Sequence, residues 1–377
     1  MTTTEPLTVE VALGERSYPI HIAPGLLARA GALIRPLLRA PRVLVVADAT
    51  VDRLHGGQLR AALGSAGIAC ESATFPPGEP SKSLETAERM WRRCAELRID
   101  RTDTVIAFGG GVSGDLAGFV AACWMRGVAL IQIPTTLLAM VDSSVGGKTG
   151  VNSPAGKNLI GAFKQPACVL IDPALLATMD AREYRAGLAE VLKYGVIRDA
   201  AFFAWQEAHA EELARAEPTA VGAAVAECCR IKAWYVGEDE TEQGVRAELN
   251  YGHTFGHALE RETGYRTYLH GEAVGIGMRM AAELSRRLGV LGDSALAARQ
   301  DALLRRYQLP LAHAVREPVA VAATLAGHCR LDKKVAGGQL RFILPTRLGE
   351  VRQHAVTDAG AVALAFASAL TTDGATT

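Results

Sequence analysis

The turn after residues 104–108 constrains the fold more than any other part of the sequence. These residues, TVIAF, form an apolar run of strand length that continues directly into the glycine triplet 109–111 and a helix start. A strand that enters a helix in this way is typical of a parallel α/β sheet. Glycines at such a turn also let the backbone approach a pyrophosphate, whose charge then lies at the helix amides. The spacing is not G-x-G-x-x-G, so this is not an ordinary Rossmann fingerprint, and a purely geometric use of the glycines remains open.

The first half of the chain alternates strand-like runs with helical segments, which predicts a parallel sheet with crossover helices. The predicted strands are Val43–Ala47, Thr104–Phe108, Ala129–Ile133 and Cys168–Ile171. The predicted helices are Ser81–Leu97, with Ser81 as its N-cap, and Asp115–Cys123. After about Pro173, Ala-, Glu- and Arg-rich segments of helical period dominate to about Val321, followed by one late strand, Leu340–Leu344.

The composition is that of a globular protein without a preference for polyanions. The chain has 377 residues, of which 49% are hydrophobic and 21% charged, and this length favours two domains. Lys plus Arg equals Asp plus Glu at 40 each, so no long-range field favours nucleic acid or an anionic membrane. Because the N-terminus lacks a signal-peptide pattern and no apolar run reaches the length of a membrane span, we expect a cytoplasmic protein. The seven cysteines include no C-x-x-C pair, and we expect reduced thiols.

Three of the nine histidines lie within residues 249–274. A helix beginning near Asn250 would place His253 and His257 on one face, and a turn after this helix would return His270. Such a cluster can hold a divalent metal, because imidazole is a common zinc ligand. A catalytic zinc site has three protein ligands and one open position, so we look for a carboxylate elsewhere in the chain. The alternative is a pair of helix histidines that are hydrogen-bonded to their neighbours.

Two further segments carry more functional groups than a structural role requires. Residues 142–152 read DSSVGGKTGVN and residues 156–161 read GKNLIG. Lysines flanked by glycine can approach a bound anion closely, which favours a ligand site. The functional side chains among these glycines are Asp142, Lys148, Asn152, Lys157 and Asn158.

Three carboxylate and lysine positions outside these segments also need an explanation. Glu190 and Lys193 lie three residues apart in AGLAEVLKYG, whose apolar character predicts burial, and buried charges need partners. On a surface the same pair would contribute only about 0.2–0.5 kcal/mol. Asp48 ends a predicted strand where a carboxylate can accept from ribose hydroxyls, although a turn or capping role is equally expected.

Eight motifs together carry a resemblance to a known family. They are GGGVSGDLAGFVAA, MRGV, IPTTLLAMVDSSVGGKTGVN, KNLIGAF, RAGLAEVLKYG, LNYGHTFGHALE, LHGEAV and LDKK. In their order and spacing the chain resembles the 3-dehydroquinate synthase family, within the sugar phosphate cyclase superfamily, over nearly its whole length. The departures are small: Ser113 stands where an aliphatic residue is usual, and Met179 and Asp180 replace a common Leu-Pro.

The resemblance implies a fold, cofactors and partners. It implies a Rossmann-like α/β NAD-binding domain over residues 1–180 and a mainly α-helical metal- and substrate-binding domain over residues 181–377. We expect the tail to be disordered from about residue 370. The family also implies tightly bound NAD, one divalent metal (Zn²⁺ or Co²⁺), a homodimer and an anionic sugar phosphate substrate.

Position by position, the resemblance implies three sets of site residues. The implied metal ligands are Glu190, His253 and His270, which supply the missing carboxylate. The implied NAD contacts are Asp48, Glu79, Lys82, Gly111, Val112, Ser113, Gly114, Asp115, Thr135, Thr136, Lys148, Lys157 and Thr178. The implied substrate-binding and catalytic residues are Asp142, Lys148, Lys157, Asn158, Lys193, Arg246, Asn250, His257, Lys333 and Lys334, with Arg126 reaching the neighbouring subunit's site.

The implied reaction is the conversion of 3-deoxy-D-arabino-heptulosonate 7-phosphate to 3-dehydroquinate in the shikimate pathway. It comprises oxidation at C5 by NAD, β-elimination of phosphate, re-reduction, ring opening and an intramolecular aldol addition. A substrate with a carboxylate and a phosphate explains the clustered lysines and arginines of a neutral chain.

Several alternatives stay open at this point. Aminodehydroquinate synthase shares the machinery, as do 2-deoxy-scyllo-inosose and 2-epi-5-epi-valiolone synthases, in which we expect Asn250 and His257 to differ. A metal-dependent NAD alcohol dehydrogenase of the glycerol dehydrogenase type would release NADH. A non-enzymatic paralogue would be expected to have lost a ligand or a cofactor residue, and none is lost here.

Overall fold

A computed structural model describes residues 5–331 and 340–372 of the chain. The chain divides into two compact units. The first unit comprises Met1–Asp180 and Val221–Thr241, and the second comprises Ala181–Ala220 and Glu242–Thr377. No helix among the described residues is long and apolar enough to cross a membrane.

The first unit begins with nine strands and five helices. The strands are β1 (Leu7–Val11), β2 (Tyr18–Ile22), β3 (Arg42–Asp48), β4 (Ala69–Phe75), β5 (Thr104–Gly109), β6 (Ala129–Pro134), β7 (Lys148–Ser153), β8 (Gly156–Phe163) and β9 (Cys168–Ile171). The helices are α1 (Ala30–Ile34), α2 (Ala49–Val51), α3 (Gly57–Ser65), α4 (Leu84–Glu96) and α5 (Gly111–Cys123). The four predicted strands of this region are confirmed, with no end displaced by more than one residue.

Seven of these strands form one sheet, in the order β1-β2-β9-β6-β5-β3-β4. Strands β2, β9, β6, β5, β3 and β4 run parallel to one another, and β1 pairs antiparallel with β2 at one edge. The central strands are continuous apolar runs; in β3, for example, Val43, Leu44 and Val46 are 0% exposed. This is the pattern of a sheet covered on both faces, and it confirms the predicted parallel α/β class.

The order in which the chain adds strands to the sheet reverses between β3 and β5. From β3 the chain passes through α3 to β4 on one side, and then through α4 to β5 on the other side of β3. Ligands of open α/β sheets bind outside the carboxyl ends of the strands at such a reversal. The register pairs Ala47 with Phe108 and Gly109 with Pro134, so the residues that follow β3, β5 and β6 lie along one edge.

Two predicted helices of the first unit begin elsewhere. The N-cap of α4 is Ser83, whose hydroxyl accepts from the Thr86 amide at 3.2 Å, and not Ser81. Ser81 lies in a preceding 3-10 turn and donates to the carbonyl of Pro76. Helix α5 begins at Gly111, four residues before the predicted start, because the glycine triplet itself enters the first helical turn.

The remaining elements are mainly helical. The helices are α6 (Ala181–Ile197), α7 (Ala200–Ala208), α8 (Ala210–Ala214), α9 (Pro218–Glu238), α10 (His253–Glu262), α11 (His270–Arg287), α12 (Leu296–Arg306), α13 (Pro318–Leu331) and α14 (Ala359–Ala367). The strands are β10 (His313–Val315), β11 (Leu340–Arg347), β12 (Glu350–Val356) and β13 (Leu370–Thr372). The predicted late strand is confirmed as part of β11, which pairs antiparallel with β12.

Three residues of the tail, for which we expect disorder from about residue 370, lie in a strand. Leu370–Thr372 form β13, which pairs in parallel with β10. Its first residue is buried, and that apolar contact holds a segment whose composition alone suggested a frayed end. Residues 373–377 lie outside the described part of the chain.

Helix α9 belongs mainly to a different unit from the one that the sequence predicts. We placed it in the second domain, whereas residues 221–241 cluster with the first unit. The Lys232 ammonium contacts the carboxylate and the carbonyl of Asp142, and the Cys229 thiol donates to the carbonyl of Met140 at 3.4 Å. A helical period does not reveal which core a helix will join, so the sequence could not assign α9.

Glycines let three helices of the second unit approach one another closely. A Cβ atom on Gly271 would lie 1.9 Å from the carbonyl oxygen of Ala186 in α6. A Cβ atom on Gly277 would lie 2.2 Å from the carbonyl oxygen of Gly252, at the start of α10. Both distances are far below van der Waals contact, so at these two positions α11 requires a residue without a side chain.

We expect Gly277→Ala to destabilise the protein by about 1–3 kcal/mol, because the new methyl group would meet backbone atoms that have no rotamer to change. The matched control is Gly275→Ala in the same helix, where the nearest atom to the new Cβ is the flexible end of Leu304 at 3.4 Å. This control should be neutral, or stabilising by up to about 1 kcal/mol through helix propensity. Denaturant unfolding of both variants provides the measurement. Equal stability of the two would show that the close contact imposes no constraint.

Candidate active site

Three helices of the second unit bring one carboxylate and two imidazoles together. Glu190 lies in the middle of α6, and His253 and His270 are the first residues of α10 and α11. One ligand atom from each of the three lies within 4.8 Å of the others. The Nε2 atoms of His253 and His270 are 3.5 and 3.7 Å from Oε1 of Glu190. Asn250 ends a 3-10 turn, Val245–Asn250, so the predicted helix begins three residues later than expected.

The environment of Glu190 fits a metal ion. Its side chain is 0% exposed, and its Oε1 has no hydrogen-bond partner among the described residues. Lys193, also buried, places Nζ 2.5 Å from Oε2 and forms an ion pair there, which leaves Oε1 without a donor. A buried carboxylate left in this state is costly. A divalent cation beside Oε1 and the two imidazole nitrogens would remove that cost.

The tautomer and the protonation state of His253 also fit a metal ligand. Its Nδ1 lies 3.1 Å from the backbone carbonyl of Tyr251, which can only accept, so Nδ1 carries the proton and Nε2 keeps its lone pair. Burial lowers the pKa of His253 well below its ordinary value, and the nearby charge of Lys193 lowers it further. The neutral imidazole is the form that binds metals.

A second group of possible ligands overlaps the first. His257, Glu260 and His270 also place one ligand atom each within 4.8 Å of one another. The ring centroid of His257 is 5.6 Å from that of His253 and 5.9 Å from that of His270. The first group contains Glu190, whose fully buried Oε1 faces two imidazole nitrogens without a hydrogen-bond partner among the described residues, and this favours it as the metal site.

The second unit also contains buried cationic and amide groups. Arg246 is 1% exposed and is the largest fully buried side chain among the described residues. Asn250 donates from Nδ2 to Oε1 of Glu242 at 2.7 Å. A buried guanidinium can bind an anionic ligand through charge-assisted hydrogen bonds. Lys333 and Lys334 lie outside the described residues.

In the first unit, the glycine turn between β5 and α5 fits a pyrophosphate. Gly109 has φ +148°, and a Cβ there would lie 2.2 Å from Oγ of Ser113, so no other residue fits. The N-cap Gly110 offers no side chain, which leaves the first amides of α5 to a ligand. The hydroxyl oxygens of Ser113 and Ser143 are buried near this turn without a hydrogen-bond partner in the described structure.

Asp48 serves as a cap in this structure. Its Oδ1 accepts from the amides of Thr50 and Val51 at 2.9 and 3.0 Å, which is the capping role that the sequence left open. Its Oδ2 lies beside the glycine turn, 3.3 Å from where a Cβ on Gly109 would be. The ribose contact stays a prediction.

The predicted threonine contacts lie at two places. The Thr135 amide donates to the carbonyl of Gly109 at 2.9 Å, and the hydroxyl of Thr136 packs beside the glycine turn. Oγ1 of Thr178 lies 2.8 Å from Nε2 of His55, an interaction that the sequence gave no reason to expect.

Lys82 connects predicted cofactor residues with predicted substrate residues. Its buried ammonium contacts the carboxylate of Asp115 and lies 2.5 Å from Oδ1 of Asn158. The backbone amide of Asn158 donates to Oδ1 of Asn152 at 3.0 Å, and Nδ2 of Asn152 donates to Oε1 of Glu79 at 2.7 Å. These contacts hold Asn158 at φ +56°, a conformation that is uncommon outside glycine.

The two predicted anion-binding segments are less alike than their sequences suggest. Lys148 begins β7 and Lys157 lies in β8, so both belong to one antiparallel hairpin with exposed lysines. Asp142 lies before this hairpin and contacts Lys232, a buried lysine that the sequence analysis missed. Lys232 stands in an apolar helical segment, ECCRIKAWYVG, as Lys193 does, so the same argument could have found it.

Comparison with known proteins identifies the family. The family models for the N-terminal and C-terminal parts of 3-dehydroquinate synthase match residues 72–186 and 187–335. The 3-dehydroquinate synthase of Rhodospirillum rubrum is 55% identical over 342 residues, covering 90% of this chain and 89% of that protein. This chain belongs to the 3-dehydroquinate synthase family. The resemblance found in the sequence is therefore confirmed.

Solved structures confirm the fold expected of the family. The 2-epi-5-epi-valiolone synthase from Streptomyces hygroscopicus subsp. jinggangensis 5008, with NAD⁺ and Zn²⁺ bound, is 31% identical with a TM-score of 0.83, covering 95% of this chain and 98% of that one. A 2-deoxy-scyllo-inosose synthase complexed with carbaglucose-6-phosphate, NAD⁺ and Co²⁺ has the same TM-score at 24% identity, covering 97% of this chain and 100% of that one. The second likeness concerns the fold alone.

We expect His253→Ala and His270→Ala to lose metal affinity by at least about 100-fold, since each removes a ligand rather than an outer contact. His257→Ala should keep the metal and impair turnover. Metal content after dialysis, together with chelator competition, distinguishes the variants. An empty site in His257→Ala beside a loaded site in His253→Ala would show that the second group of ligands holds the ion.

Proposed function

We propose that this chain converts 3-deoxy-D-arabino-heptulosonate 7-phosphate to 3-dehydroquinate and phosphate, as a carbon-oxygen lyase of the cytoplasmic shikimate pathway. Family membership across both halves of the chain supports the activity. The observation that carries the proposal within the structure is the buried Glu190 carboxylate, whose Oε1 faces two imidazole nitrogens and has no hydrogen-bond partner among the described residues.

Two sets of residues would hold the cofactors. Glu190, His253 and His270 would bind one Zn²⁺ or Co²⁺, and the glycine turn with the first amides of α5 would bind the pyrophosphate of NAD. The 31% identical 2-epi-5-epi-valiolone synthase, which has NAD⁺ and Zn²⁺ bound, supports this assignment. When bound, the metal would supply Lewis acidity at substrate hydroxyls, and NAD would take up a hydride and later return it.

The cationic side chains would bind the two anionic ends of the substrate. Lys193 and Arg246 are both 1% exposed, so their interactions with an anion would be little screened by water. The planar guanidinium of Arg246 can bind a phosphate or carboxylate through two parallel hydrogen bonds. In the first unit, Lys148 and Lys157 would supply further positive charge. Lys82 would hold the side-chain amide of Asn158 in position to bind a substrate hydroxyl.

The substrate assignment follows from degrees of similarity and from two positions. Identity to a 3-dehydroquinate synthase is 55%, against 31% to the 2-epi-5-epi-valiolone synthase. Asn250 and His257 are the residues at which we expect those other cyclases to differ. The aminodehydroquinate synthase reaction uses a closely similar substrate, so the amino analogue should be assayed alongside.

We expect one equivalent of phosphate to be released per substrate while NAD is needed only in catalytic quantity. Because the hydride removed from the substrate returns to it, no NADH should accumulate. The assay follows phosphate release and NADH absorbance in the same sample, with substrate in large excess over NAD. Growth of NADH in step with substrate consumption would assign the chain to the alcohol dehydrogenase class instead.

We also propose that the active unit is a homodimer in which Arg126 reaches the substrate phosphate of the partner's site. Arg126 is exposed in the connection between α5 and β6, and it follows Met125 with both residues at positive φ, 49° and 65°. Each such conformation costs about 1–3 kcal/mol and persists where the surrounding structure enforces it, often at functional sites.

Mixing the inactive variants Arg126→Ala and Lys193→Ala should restore activity. If each site uses Arg126 from the partner, half of the dimers are mixed and each has one intact site, so about a quarter of the sites regain function. Arg126→Lys should remain impaired, because an ammonium cannot form the bidentate contact. Subunit exchange proven by mass spectrometry without any recovery would contradict the shared site.

A further inference from the structure

The two ring nitrogens of His270 face two different carboxylates. Nε2 lies 3.7 Å from Oε1 of Glu190, on the side of the proposed metal. Nδ1 lies 3.5 Å from Oε1 of Glu260, a residue of α10 that is 5% exposed. The family resemblance assigned no role to Glu260, and the proposed reaction has not used it.

The other histidine ligand shows the same arrangement with a different acceptor. Nδ1 of His253 lies 3.1 Å from the carbonyl of Tyr251, and its Nε2 lies 3.5 Å from Glu190. Histidines that bind a metal almost always donate their second N–H to a carbonyl or a carboxylate, which fixes the tautomer and the ring orientation. Glu260 occupies for His270 the position that the Tyr251 carbonyl occupies for His253.

We infer that Glu260 is a positioning residue: its carboxylate accepts a hydrogen bond from Nδ1–H of His270 and thereby keeps Nε2 available to the metal. This inference rests on the metal site of the proposed function and deepens it. A carboxylate acceptor also makes the imidazole a stronger electron donor than a carbonyl would, so the effect should appear in metal affinity.

The competing role for Glu260 is that of a metal ligand, together with His257 and His270. An imidazole that binds ions through both nitrogens must first lose both protons, whereas a neutral imidazole offers one lone pair. His270 can therefore belong to only one of the two groups as a neutral ligand. The buried oxygens of Glu190 favour the group that contains that residue, which leaves Nδ1–H to Glu260.

The test compares metal binding by three variants with that of the wild-type protein. Glu260→Ala removes the acceptor and should weaken Zn²⁺ and Co²⁺ binding about 10–100-fold in chelator competition. Glu260→Gln keeps the shape and one acceptor oxygen but removes the charge, so its loss should be smaller. Glu262→Gln, on the exposed side of the same helix, is the matched control and should bind like wild type. A wild-type protein that binds no metal would refute the proposed metal site itself.

A second readout separates positioning from general destabilisation. In the metal-free protein, nitrogen-15 NMR of labelled histidine should show His270 as the Nδ1–H tautomer, with a shift towards Nε2–H in Glu260→Ala. Should Glu260→Ala fail to fold, the isosteric Glu260→Gln variant decides through the same two measurements. Wild-type affinity and tautomer in folded Glu260→Ala would overturn the inference. Complete loss of the ion in Glu260→Gln, with the ion retained in Glu190→Gln, would make Glu260 a ligand and also overturn it.

Discussion

A fully buried carboxylate lies at the centre of the second unit, and the surrounding helices are arranged about it. Glu190 is 0% exposed in α6, with Lys193 as its ion-pair partner. Glycines in α11 allow that helix to pack against α6 and the start of α10 at backbone distance. This close packing brings His253 and His270 to the carboxylate, and the unfavourable burial of the charge is the basis of the metal site that we propose.

The constraint on the first unit is different, because a chain with no net charge has to bind NAD, a large anionic cofactor. The strand order of its sheet reverses between β3 and β5, and the glycine turn follows β5 at that point. In the proposed site, backbone amides at the start of α5 would supply the donors to the pyrophosphate, so no arginine would be needed there. Lys82, which contacts Asp115 and Asn158, shows how one buried cation can organise an acidic and an amide group contributed by two separate segments.

Much of this could be predicted from the sequence. Apolar runs located the central strands, and the motifs identified the family and brought Glu190, His253 and His270 into one group. The sequence could not decide between alternatives whose local sequence patterns are equally favourable. Ser81 and Ser83 are both good N-caps, and only the 3-10 turn around Ser81 decides for Ser83. Helix α9 has a helical period that suits either unit. Glu260 gains a role only because the fold brings it to His270.

The central claim is that the ion binds between Glu190, His253 and His270, and anomalous X-ray diffraction at the zinc edge tests it most directly. Crystals of the Zn²⁺-loaded protein should show one anomalous peak per chain. It should lie about 2.0–2.2 Å from a Glu190 oxygen and about 2.0–2.1 Å from Nε2 of both histidines. A peak coordinated instead by His257, Glu260 and Nδ1 of His270 would contradict the account.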